Sequence, residues 1–179
     1  MEELKLEKIF EEVLESKDLP TAFYNISELL NEYTSILKNF MDLRLIDPSE
    51  NSLRITESVE SVSKELNRCL ESIKFNIELV KKWIKKGYPK DKLDESNYNI
   101  ILLSGAYSDA YNSYTWMKEP HKTKITPLQD KVRKQIEKLD ILINKHNLRH
   151  NDKFLTMAEA KLIFDQGPLE YQRKTFKDK

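Results

Sequence analysis

An apolar residue returns every three or four positions along most of this chain, and that rhythm constrains the fold more than any other feature. Ala22, Ile26, Leu29, Tyr33, Ile36, Phe40 and Leu43 advance by alternating steps of four and three. Steps of this kind stay on one stripe of an α-helix, and a seven-residue period is the seam along which helices wind together. So long a seam is stable only when other helices cover it. The expected fold is all-α: an antiparallel helical bundle of about five long helices plus a short C-terminal helix, with coiled-coil-like packing.

Breaks in the rhythm divide the chain. An amphipathic segment over residues 2–16 carries Leu6, Ile9, Phe10, Val13 and Leu14 on one stripe and stops at Asp18-Leu19-Pro20, because a proline disfavours helix in the residue before it. The next helix opens at Pro20 or Thr21 and runs to about Leu45, and Asp47-Pro48 separates it from a third. The third carries Ile55, Val59, Val62, Leu66, Leu70, Ile73, Ile77, Val80 and Ile84, with Gly87 and Pro89 as its stop, and its length makes it the expected spine. A fourth presents Ile100, Leu103, Tyr107, Ala110, Tyr114 and Met117 and closes at Glu119-Pro120; Gly105, Ala106 and Ala110 leave low relief for a close neighbour. Thr126-Pro127 predicts the start of a fifth, with Leu128, Val132, Ile136, Leu139 and Leu142 inward and an end near Asn147. Thr156 followed by Glu159 matches a capping box for a short last helix that Gly167-Pro168 ends. Residues 1–167 thus read as one bundle domain and 168–179 as a polar tail.

With 179 residues the chain buries enough surface to fold without a disulfide or metal, and its single cysteine, Cys69, fits a reducing, cytoplasmic setting. No apolar run approaches a membrane span, so no membrane partner is expected. Thirty basic and thirty acidic residues cancel, but unevenly: residues 1–50 carry a net −7 and residues 121–179 a net +6. Opposite charges of this kind let helices neutralise one another, within the bundle or between subunits. Few glycines and many Lys, Asn, Ile and Tyr also fit a low-GC coding source such as a phage or mobile element.

Basic residues gather in two places. Lys81, Lys82, Lys85 and Lys86 surround Trp83 and precede Tyr88, and Lys131, Lys134 and Lys138 mark the fifth helix. Lysines at a helix C-terminus complement the helix dipole as a solvated face. The functional alternative is a phosphate-tracking patch in which Trp83 or Tyr88 stacks on a base. Tyr107, Tyr111 and Tyr114 share one face and read as core whose hydroxyls reach the surface or a partner. In the tail, Leu169, Tyr171 and Phe176 are the apolar anchors for a partner.

Catalytic and metal chemistry find little to stand on. His146 and His150 are four residues apart but lack the adjacent glutamate of a zinc-hydrolase motif. The carboxylate pairs Glu57/Glu60, Glu28/Glu32 and Glu137/Asp140 are scattered, as chance matches are in a chain one-third charged. Cys69 sits among Leu66, Leu70 and Ile73 and reads as a small buried hydrophobe. No catalytic residue, cofactor, metal site or small-molecule substrate is expected. The expected function is a non-catalytic cytoplasmic interaction or assembly protein, an adaptor or inhibitor, acting through a protein partner or self-association. The alternative is an accessory nucleic-acid-binding protein of the replication or recombination type, using the lysine patches.

Overall fold

The computed structural model describes residues 17–46, 52–88 and 90–167, with side chains for 17–40, 60–88 and 90–167. Among these residues five α-helices pack together: α1 (Leu19–Ile46), α2 (Ser52–Lys86), α3 (Leu93–Thr115), α4 (His121–Arg149) and the short α5 (Met157–Gln166). A 3-10 turn, Lys90–Lys92, leads into α3, and no strand occurs among the described residues. The amphipathic segment expected over 2–16 lies outside these residues, as do the tail anchors Leu169, Tyr171 and Phe176 and the side chains of Leu43, Ile55, Glu57 and Val59.

Consecutive helices run in opposite directions. Arg68 of α2 reaches Glu32 of α1, and the Trp83 indole N–H donates to the Lys17 carbonyl at 2.9 Å, so α2 returns along α1. The Asn99 amide donates to the Pro20 carbonyl at one end of α1, while the His121 ring, just past α3, meets Phe40 edge-on at the other. Helices α1 and α3 therefore lie parallel, and so do α2 and α4, which touch at Glu78–Lys138 and again at Tyr88–His146.

The spine is α1 and not the longer α2. Its predicted seam residues Ala22, Ile26, Tyr33 and Phe40 are buried, and so is a second stripe of Leu19, Phe23, Leu30 and Leu37. Two adjacent apolar stripes let α1 pack against α2 on one side and α3 on the other. Helix α3 is itself enclosed between α1 and α5. The low relief expected there is used: a Cβ on Gly105 would overlap the ring of Phe164 on α5.

Local chemistry sets the ends. Asp18 Oδ1 accepts the Thr21 N–H at 3.0 Å and caps α1. Gly87 and Gly167 follow α2 and α5 with φ of +92° and +108°, backbone conformations that favour glycine. The capping box at Thr156 is present: its hydroxyl accepts the Glu159 N–H, and Glu159 returns to the Thr156 N–H. Helix α4 departs from its expected start at Thr126-Pro127, because the Glu119 carboxylate accepts the Thr123 N–H and opens the helix at His121. Pro127 falls inside the helix, in its second turn. Likewise α3 ends at Thr115, before the expected Glu119-Pro120. Asn147 holds the chain after α4: its amide donates to the Phe154 carbonyl and accepts the Phe154 N–H, which places the Phe154 ring in the core.

Candidate interaction surface

The 3.6-residue period divides α4 sharply. Val132, Ile136, Leu139, Ile143 and His146 are buried. Lys134, Ile141, Lys145 and Leu148 fall on the opposite side, all exposed, and Ile141 and Leu148 keep 55% and 87% of their surface in water. Lys131 and Lys138 flank this ridge on the side of α2. Across that boundary Lys138 Nζ meets Glu78 Oε1 at 3.0 Å. Lys81 and Lys85 stand one and two turns beyond Glu78 on α2, which runs parallel to α4 here.

The fold thus brings the two basic regions of the sequence onto one side of the bundle. Lys138 is neutralised by Glu78, and Glu137 is taken up by Arg133 at 3.0 Å. Among the described residues no ion pair engages Lys81, Lys85, Lys131, Lys134 or Lys145, each exposed. Five uncompensated cations around two exposed aliphatic side chains make a basic ridge with an apolar crest.

The aromatic residues of the lysine patch do other work. The Trp83 ring is partly buried against the core, its N–H is bonded to Lys17, and Lys86 Nζ lies 5.7 Å from its centroid. Tyr88 packs on Phe154 at 5.1 Å and bonds His146. Both rings belong to the packing at the end of the bundle. Lys82 is half-buried.

The tyrosine stripe divides in the same way. Tyr114 packs on the core and its hydroxyl lies 2.6 Å from Thr126 Oγ1, joining α3 to α4. Tyr107 is half-buried, and burial, followed by the nearby Glu137 carboxylate, pushes its pKa up. Only Tyr111 is open to solvent, at 52%, near the fully turned-out Trp116 at the end of α3. A second opening is a groove of about 830 Å³ between α1 and α2, with Leu29 among its lining residues and Glu28, Glu32, Arg68 and Glu71 on its rim.

The histidine pair is a packing feature. His146 and His150 stack at 4.4 Å between centroids, His146 is buried, and its Nε2 is occupied by Tyr88 Oη and the Asp152 carbonyl. Among the described residues no cluster of His, Cys, Asp or Glu is arranged to hold a metal ion. Glu32 and Asp140 are also engaged, by Arg68 and the Met157 N–H. Cys69 is 2% exposed, and burial, then the Glu32 charge, raises its pKa to about 11. No described helix is long and apolar enough to cross a membrane.

Sequence reasoning singled out the lysines and passed over Ile141 and Leu148. Ile141 and Leu148 were legible as the two aliphatic residues of α4 that fall opposite its inward stripe. Comparison of the chain with protein-family models, with curated proteins and with solved structures returns no match.

Proposed function

We propose that this chain is a non-catalytic helical interaction protein that acts in the cytoplasm by binding a partner protein, as an adaptor or an inhibitor. The observation that carries this reading is the crest of α4. Monomeric surfaces expose single apolar residues freely, but Ile141 and Leu148 repeat at the heptad spacing of a helix contact and stand on a rigid, well-packed helix. Side chains so exposed contribute little to the bundle that bears them, so their replacement separates binding from folding.

The test is retention of proteins by the tagged full chain in its native cells, wild type against Ile141→Ser/Leu148→Ser. A partner retained by the wild type and lost from the variant, with unchanged thermal melting, supports the reading. An identical set of retained proteins would reject it.

The Glu78–Lys138 contact favours one second reading, because it joins the lysines of α2 and α4 into a single field. Lys81, Lys85, Lys131, Lys134 and Lys145 would then follow backbone phosphates of nucleic acid, with little sequence preference and steep loss of affinity with salt. Fluorescence anisotropy with a mixed-sequence oligonucleotide distinguishes it: replacing Lys81, Lys85, Lys134 and Lys145 by Gln abolishes such binding, while the Ile141/Leu148 variant leaves it intact.

A further inference from the structure

We infer that the partner element seated on the α2–α4 ridge is an acidic amphipathic helix; this rests on the protein-binding reading above and names the chemistry of the partner. Ile141 and Leu148 are separated by two helical turns, about 10.5 Å along the axis. A partner helix that presents apolar residues seven apart meets both. Around that pair the uncompensated charges are predominantly positive: Lys134 and Lys145 on the crest, Lys131 beside them, and Lys81 and Lys85 across the boundary on α2, against one exposed acid, Asp130, a turn before Lys134. A helix with carboxylates flanking its apolar stripe fits each of these groups at once.

Other occupants fit less of the surface. A second copy using the same face would set five unpaired lysines against five, with only Asp130 of each copy unpaired to offset them, a net like-charge contact. An added strand has nothing to pair with, because the backbone of α4 is consumed by its own helix. A phosphate backbone satisfies the lysines and leaves Leu148, the most exposed aliphatic side chain of the described residues, in water. An anionic membrane surface would take the two aliphatic residues, but Glu137 and Asn144 stand exposed on the same outward side of α4 and would enter the headgroup layer with them.

The experiment places the photo-crosslinking residue benzoylphenylalanine at position 148 of the full chain in its native cells and sequences the crosslinked segment. That segment is then synthesised as a peptide and titrated against the wild type, Leu148→Ser, Lys134→Glu/Lys145→Glu, and Lys38→Glu as a remote control. The expected segment carries net negative charge and an apolar heptad. Its affinity falls at least about tenfold for Leu148→Ser and for the double charge reversal, falls again as salt is raised, and is unchanged for Lys38→Glu. A crosslinked protein segment that is neutral or basic overturns the acidic-helix inference and leaves the protein-binding reading standing. Adducts confined to nucleic acid or lipid, or no adduct at all, overturn both. Position 148 is 87% exposed, so these substitutions leave the fold intact, which melting curves verify.

Discussion

Tyr88 and His146 meet across the end of the bundle, with Tyr88 Oη 2.9 Å from His146 Nε2, and so tie the segment that follows α2 to the last turn of α4. The Asp152 carbonyl, 3.1 Å from the same nitrogen, can only accept, so this network assigns the ring proton to Nε2. That leaves His146 Nδ1 buried without a hydrogen-bond partner. Protonating Nδ1 would add a donor and a charge where neither is satisfied, and burial accordingly lowers the His146 pKa from its usual 6.5; the stacked His150 acts in the same direction, and the Asp152 carbonyl and carboxylate oppose it.

Because the folded pKa lies below the unfolded one, the unfolded chain takes up the proton first as pH falls. Stability is therefore full above about pH 6.5, declines as pH drops through the unfolded value, and levels off below the lowered folded value. Melting temperatures between about pH 7.5 and 5.5 should follow this course, and His146→Phe should flatten it. An unaltered slope in that variant would assign the effect elsewhere. Tyr88→Phe keeps the ring packing on Phe154 and removes one hydrogen bond, at a cost of about 1 kcal/mol.

Gly105 is the position at which α5 depends on a missing side chain. A methyl group there meets the Phe164 ring, so Gly105→Ala must displace α5 or distort α3, although alanine is the better helix former. Overpacking of this kind costs roughly 1–3 kcal/mol. Hydrogen exchange should show loss of protection over Met157–Gln166 in Gly105→Ala, with recovery in Gly105→Ala/Phe164→Leu. Undiminished protection in the single variant would show that the ring has room to move.

The bundle was legible in the sequence because its main determinant, apolar period, is local to each helix. The capping box at Thr156, the two glycine stops and the close approach at Gly105 were legible for the same reason. Period alone does not say how many neighbours a helix has. Helix α1 became the spine because Leu19, Phe23, Leu30 and Leu37 add a second stripe, which the search for a single seam passes over. The start of α4 was misplaced because a glutamate side chain, Glu119, supplied a cap that Thr126-Pro127 imitated. The surface was least legible. Lysines 81 and 145 are 64 positions apart, and only the parallel pairing of α2 with α4 brings their regions together.

Tyr33 and Gln129 form the most deeply buried polar contact between α1 and α4, with Tyr33 Oη donating to Gln129 Oε1 at 3.0 Å. The Gln129 amide nitrogen has no hydrogen-bond partner, and the residue is only 4% exposed. Tyr33→Phe strands the remaining amide oxygen as well, which costs about 1–3 kcal/mol. Gln129→Met removes both polar atoms at similar volume, leaving only the Tyr33 hydroxyl unpaired. The double variant Tyr33→Phe/Gln129→Met leaves no polar group behind, and urea unfolding should find it more stable than either single variant. A double variant as weak as the sum of the singles would mean that packing, and not the unpaired amide, sets the cost.

Cys69 reports on opening of the core. The thiolate is the reactive form, and moving the thiol from its usual 9.0 to about 11 reduces the thiolate near neutral pH about a hundredfold before any steric protection is counted. Its 2% exposure adds a barrier that only opening of the α1–α2 contact removes, since Glu32 and Arg68 bridge those helices beside it. An aromatic disulfide reagent at about pH 8 should therefore label the native chain more than a hundredfold more slowly than the urea-unfolded chain. Arg68→Ala, which breaks the bridge and takes away a charge that favours the thiolate, tests the two terms against each other. Faster labelling in that variant means that opening controls access, whereas slower labelling means that reaction proceeds in the closed bundle under control of the thiol pKa.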